Sequence, residues 1–125
     1  MRAFLMNYNE QTGAFGTPRF YNYGNSPVLF THFDGITAVP GGFNLVAISS
    51  AQASSMAFVP TTGGDWPLFG RATWYPIDVA GSPLCSDSGG CSMVTGNTVF
   101  QNQVMGLYVQ SDGKPRTYLA TVPTP

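Results

Sequence analysis

Short apolar runs, separated by Gly, Pro and small polar residues, recur along the whole chain. Fifteen Gly and ten Pro spread over 125 residues cut it into pieces of about five to ten residues, a strand-like length. The runs are rich in Phe, Tyr, Val, Thr and Ile, which suit a pleated surface. The pattern predicts strands over Ala3–Tyr8, Arg19–Tyr23, Val28–Phe33, Ile36–Val39, Phe43–Ser49, Met56–Val59, Ala72–Asp78, Ser92–Phe100, Gln103–Gln110 and Arg116–Val122. Turn signals fall at Gln11–Gly13, Pro40–Gly42, Thr62–Asp65 and Ser111–Gly113. Asp112-Gly113 between two apolar runs is a strong hairpin signal. One stretch, Ser49–Ala57, has the Ala, Ser and Gln content of a short helix.

The runs also repeat. A shift of 54 positions lays Ala3-Phe4 on Ala57-Phe58, Phe15-Gly16 on Phe69-Gly70 and Phe20-Tyr21 on Trp74-Tyr75. A shift of 59 lays Leu45–Ile48 on Val104–Leu107. The expectation is one all-β domain over residues 1–125, made of two related four-stranded repeats, about 1–54 and 55–114, with an extra strand at 115–122. Four strands per repeat is the size of a β-propeller blade, and a closed ring needs at least about four blades. Two blades therefore imply either a β-propeller-like oligomer or a larger parent protein, and the extra strand completes a blade of the same or a neighbouring chain. The alternative is a β-sandwich or barrel with similar hairpins.

Charge changes the picture. Charged residues make up 9% of the chain and the net charge is −1, against about 25% charged residues in ordinary soluble domains. Hydrophobic residues make up 43%, so a packed core is expected and disorder is not. Five Lys and Arg, scattered, do not form the basic groove that nucleic acid requires. No membrane-spanning run is present, the longest stretch without charge, Gly or Pro being Phe43–Val59, interrupted by Asn, Ser and Gln. Met1–Met6 is too short an apolar opening to read as a signal peptide. The uncharged polar surface points to an extracellular or cell or virion surface setting. Cys85 and Cys91 are separated by a Gly-containing loop, so a local disulfide is sterically reasonable, with two reduced thiols as the alternative. Two Cys and one His leave too few ligands for a metal site of the usual kind, and no cofactor is implied.

Val104-Met-Gly-Leu-Tyr-Val109, Asp112-Gly113 and Arg116-Thr-Tyr-Leu119 resemble the HAF-type extracellular repeats, with weaker copies at Arg2–Leu5 and at Val46–Val59. The Ile-Asn-x-x-Gly that precedes Val-x-Gly in those repeats is absent. The resemblance implies extracellular β-repeats without catalytic residues. Asn44–Val46 and Leu107-Tyr108 are also similar to fragments of bulb-type mannose-binding lectins, whose diagnostic Gln-x-Asp-x-Asn-x-Val-x-Tyr is not present.

Ser86-Asp87-Ser88-Gly89-Gly90 resembles the nucleophile turn of chymotrypsin-like serine proteases. On that reading Ser88 is the nucleophile, His32 the base, and Asp34 or Asp65 its orienting group. The chain is short for such an enzyme, Cys91 replaces the usual Pro, and Asp34 is only two residues from His32. Asp65 and Asp78 could face one another as an acid–base pair, but their spacing does not require it. The aromatic residues are more informative: nine Phe, six Tyr and two Trp. Trp66 lies in a turn, where a large ring is hard to bury, and Trp74-Tyr75 is flanked by Arg71 and Asp78. A flat ring beside charged groups suits a sugar, whose C–H face stacks while its hydroxyls bond. The alternative for Trp74 and Tyr75 is packing, as for Phe20 and Tyr21 in the other repeat. The expected function is a non-enzymatic, lectin-like carbohydrate-binding module that self-associates into a homo-oligomer. Its candidate ligand residues are Trp66, Trp74, Tyr75, Arg71, Asp78, Asp65 and Tyr21. The second expectation is a structural subunit of a surface filament, capsid or phage tail; the third is a serine hydrolase using Ser88.

Overall fold

The computed structural model describes residues 1–85, 90–92 and 94–123. Eleven strands are defined there: β1 Ala3–Leu5, β2 Arg19–Tyr21, β3 Thr31–Val39, β4 Gly42–Ser49, β5 Ser55–Thr62, β6 Leu68–Phe69, β7 Thr73–Pro76, β8 Cys91–Ser92, β9 Thr98–Phe100, β10 Gln103–Gln110 and β11 Pro115–Thr121. The only helical pieces among the described residues are 3₁₀ turns at Tyr23–Asn25 and Pro83–Cys85. The protein is all-β, and its curled antiparallel sheets form a half-barrel.

The central sheet runs β3-β4-β5, with β6 and β7 both pairing along the outer side of β5. It joins strands from both sides of residue 54. A second sheet pairs β11 with β10, whose other side takes β8 and β9. The third unit is the β1–β2 hairpin. β4 explains why the central sheet is covered twice. Leu45, Val46 and Ala47 are all fully buried, and consecutive residues point to opposite faces. Val46 pairs with Met56 and packs with Val99, Val104, Tyr108 and Tyr118 of the second sheet. Leu45 pairs with Ala57 and packs with Tyr21, Val59 and Ala72, with Phe33 and Trp74 at the margin. Two apolar cores therefore lie on the two faces of one sheet.

Three local features differ from the sequence pattern. Asp34-Gly35 does not end a strand; β3 continues through it with a register shift between Phe33 and Gly35. A Cβ at Gly35 would lie 3.2 Å from the Thr98 Cα and from Val46 Cγ1, tighter than ordinary van der Waals contact. Ser49–Ala57 is not a helix. The Ser49 hydroxyl accepts hydrogen bonds from the Gln52 amide at 2.9 Å and the Ala51 amide at 3.3 Å, a local bond that competes with helix formation. Met56 and Ala57 then pair across to Tyr75 and Trp74. The run Ser92–Phe100 is two strands. Between them Thr95 and Asn97 still donate to Leu107 and Met105 carbonyls at 2.8 and 2.9 Å, and Gly96 lies against Val46 and Ser54.

The Asp112-Gly113 hairpin forms as expected. Gly113 has φ 76°, Lys114 donates to the Asp112 carboxylate at 2.9 Å, and Arg116 grips the same carboxylate at 2.9 and 3.1 Å. That guanidinium and the Lys114 amide hold the Asp112 carboxyl down at about 2. Cys85 and Cys91 are joined in a disulfide that packs against the larger core.

Candidate functional site

The β1–β2 hairpin buries one side and exposes the other. Ala3 pairs with Tyr21, and both are buried on the central sheet. Phe4 pairs with Phe20, and both stay in solvent, 51% and 47% exposed, with centroids 6.1 Å apart. The Arg2 guanidinium sits 4.3 Å over the Phe20 ring. Further along, Tyr8 bridges to Phe15, and their rings are 4.8 Å apart and 53% and 65% exposed. The tip that holds them is rigid in its hydrogen bonding. The Asn9 carboxamide oxygen accepts from the Gln11 and Thr12 amides at 2.9 and 3.1 Å, and Gly13 takes φ 72°. Such an Asx turn needs Asn at its start and tolerates Gly at the left-handed position.

Trp66 reaches this hairpin from the β5–β6 turn. Its indole lies against Gly16, where a Cβ would come within 3.1 Å of the ring. The Asn7 side chain donates to the Pro67 carbonyl at 2.8 Å, which ties the two turns together. Asn7 and Gly16 lie between the Phe4–Phe20 step and the Tyr8–Phe15 step, so five partly exposed rings are distributed along one hairpin. β1 ends at Leu5; with the chain fully extended from Phe4 to Tyr8, at about 3.3 Å per residue, the two would stand at most roughly 13 Å apart. Asp65 is exposed beside Trp66. Uncharged rings with few ionic neighbours present C–H and π surface to a ligand without demanding a charge on it.

The expected ligand residues do not form one cluster. Trp66 and Asp65 are at the turn just described. Trp74 is a packing residue: it stacks on Phe33 at 6.1 Å, meets Tyr23 edge-on at 5.3 Å, and donates its indole N–H to Asn25 at 3.3 Å. Tyr21 meets the same Phe33 at 5.8 Å and donates to the Gly70 carbonyl at 2.9 Å. Burial pushes the Tyr21 hydroxyl up, with Arg19 opposing. Buried Tyr21 has no ring face to offer. Tyr75 follows Trp74 on β7 and so faces the other core. Arg71 is exposed, while the Asp78 carboxylate is engaged in a turn by the Gly81 amide at 2.8 Å. Phe4, Tyr8 and Phe20 each lie in a run that reads equally well as core, and Phe15 stands alone between Gly13-Ala14 and Gly16 with no pattern to mark it.

His32 and Asp34 do meet, Nδ1 to Oδ1 3.3 Å, on exposed β3. The remaining partner of that triad, Ser88, lies outside the described residues, as do Ser86, Asp87 and Gly89. Among the described residues no three His, Cys, Asp or Glu side chains gather as for a metal ion, and no helix is long and apolar enough to cross a membrane. No protein-family model, curated protein or solved structure matches the chain.

Proposed function

We propose that the chain is a non-enzymatic, lectin-like carbohydrate-binding module and that the β1–β2 hairpin is its binding surface. The observation that carries this reading is the exposure of the Phe4–Phe20 and Tyr8–Phe15 ring pairs on a hairpin whose other side is anchored in the core. Rings spread over at most roughly 13 Å suit several successive sugars of a neutral polysaccharide rather than one. Trp66 packs against Gly16 of the same hairpin and is itself partly exposed, and Arg2 and Asp65 supply hydroxyl partners at the margins. The Cys85–Cys91 disulfide supports an oxidising, extracellular or surface setting.

The test is retention of the folded protein on insoluble cellulose, chitin and xylan. Retention on one of them is expected, with Phe15→Ala and Phe20→Ala each weakening it about tenfold, equivalent to about 1.4 kcal/mol. Equal retention of wild type and both variants, or none on any of the three, overturns the reading.

A second reading, a self-associating structural subunit, is favoured by the second sheet. Met105, Leu107 and Leu119 are exposed on it, and among the described residues β11 is an edge strand of that sheet, which is a template for another strand. Mass by light scattering tests it: an oligomer that Leu119→Lys dissociates supports it, and a monomer at all concentrations rejects it.

A further inference from the structure

On the opposite face of the central sheet from the β1–β2 hairpin lies a cleft of about 620 Å³ between the β3–β4 turn and the turn joining β9 to β10. That volume is within the range of about 300–1,000 Å³ typical of small-molecule sites. Phe58 and Tyr75 form apolar walls, Val39 and Pro40 the rim, and carboxamides come from Asn44, Gln101 and Asn102. No charged residue lines it among those described.

Two observations favour a polar occupant for the cleft. Asn44 is 3% exposed. Its Nδ2 donates to the Gln101 carbonyl at 2.7 Å, but its Oδ1 is buried without a hydrogen-bond partner. A buried acceptor left unpaired is unfavourable, and a small rotation of the Asn44 carboxamide toward the cleft would let a bound hydroxyl answer it. Gln101 has φ 54°, a conformation in which glycine is far more comfortable. A side chain is present there against the backbone's preference, the kind of local strain associated with ligand sites.

We propose that this cleft binds a neutral, hydroxyl-bearing small molecule of about disaccharide size, as a site separate from the aromatic hairpin. Apolar walls take the ring faces of such a molecule. Carboxamides, which donate and accept at once, match its hydroxyls, and the uncharged lining disfavours an anion or cation.

The experiment is a heteronuclear NMR titration of the full chain with maltose, cellobiose and lactose, alongside glucuronate and indole. The expected result is saturable shifts of the Asn44 side-chain amide with at least one disaccharide and none with glucuronate. Gln101→Gly, which suits the backbone and removes one carboxamide, is expected to weaken this binding about tenfold. The proposal is overturned if no disaccharide shifts Asn44, if indole or glucuronate saturates the site instead, or if Gln101→Gly binds as tightly as wild type. The Trp66 indole N–H reports separately on the hairpin. Shifts there with Asn44 silent reject the cleft and leave the hairpin reading standing, and the reverse supports the cleft and leaves the hairpin to its own test of polysaccharide retention.

Discussion

Trp74 stacks on Phe33 with centroids 6.1 Å apart and planes 25° apart, while Phe20, fifty-four positions before Trp74, stands in solvent. The two occupy like places in like hairpins. β1 pairs with β2 as β5 pairs with β7, and the Tyr8–Phe15 bridge has its counterpart in the pairing of Thr61 with Phe69. The register differs by one residue. Ala3 lies opposite Tyr21, but its counterpart Ala57 lies opposite Trp74 and not Tyr75. A slip of one residue exchanges the faces of a strand. Tyr21 and Trp74 therefore face the core, and Phe20 is left outside.

This face exchange predicts unequal effects of two similar truncations. Trp74→Ala removes a ring packed by Phe33 and Tyr23 and is expected to lose about 2–4 kcal/mol of stability, less than a fully buried Trp would. Phe20→Ala removes a ring held by Arg2 and is expected to lose less than about 1 kcal/mol. Urea denaturation of both variants checks the contrast, and equal losses contradict the assigned faces.

Much of the fold was legible because it rests on local signals. Gly113 and Asp112 set a hairpin through turn chemistry, and the apolar runs around Leu45 and Val104 became the buried strands β4 and β10. What was not legible depended on pairing. The β3 register shift at Asp34 lies where Thr98 approaches Gly35, a contact between distant residues. β6, only Leu68–Phe69, is too short to carry a pattern. Trp74 beside Arg71 and Asp78 looked like a sugar site in one dimension, but Phe33, Tyr23 and Asn25 come from elsewhere to cover it. The cleft was invisible for the same reason, since Asn44 and Gln101 meet only after β4 and the β9–β10 turn are packed together.

Tyr118 links the two sheets through its hydroxyl. It lies 2.7 Å from the Ser54 hydroxyl and donates to the Thr95 carbonyl at 2.6 Å. Tyr118→Phe leaves buried Ser54 and the Thr95 carbonyl short of a partner, with an expected loss of about 1–3 kcal/mol. Burial raises the Tyr118 pKa, and the Ser54 hydrogen bond only partly opposes this. The unfolded chain therefore ionises first, so the stability present below the ordinary value of 10.0 declines as pH rises above it. Urea midpoints across alkaline pH should fall less steeply in Tyr118→Phe. Tyr21, also raised by burial, leaves a residual slope.

At acid pH the corresponding group is Asp112, whose carboxyl is held at about 2 by Arg116 and Lys114. Its folded pKa is depressed, so its contribution is complete above the ordinary carboxylate value of 3.8 and is lost as pH falls through about 2. The carboxylate is fully exposed, and solvent screens the pair. The expected readout is thus the titration of the hairpin itself. Carboxyl NMR should place the Asp112 midpoint near 2, and Arg116→Gln should move it up toward the ordinary range. An unmoved midpoint contradicts the role of the guanidinium.

Two glycines of the second sheet separate the two reasons for having one. Gly113 sits in open space with φ 76°, so only its backbone conformation matters. Gly113→Ala is expected to cost about 1–2 kcal/mol, the penalty for an L-residue in the left-handed region. Gly106 is inside β10, where glycine is ordinarily unfavourable. A Cβ there would run into the Thr95 carbonyl and lie 2.7 Å from the Tyr118 ring. Neither neighbour can yield without disturbing the hydrogen bond between them, so Gly106→Ala is expected to lose about 3 kcal/mol or more. Combining Gly106→Ala with Tyr118→Phe should then cost clearly less than the sum of the two, because both break the same contact. Urea denaturation of the two single variants and the double variant gives the coupling, and strict additivity would mean that Gly106 is not there to make room for the Tyr118–Thr95 bond.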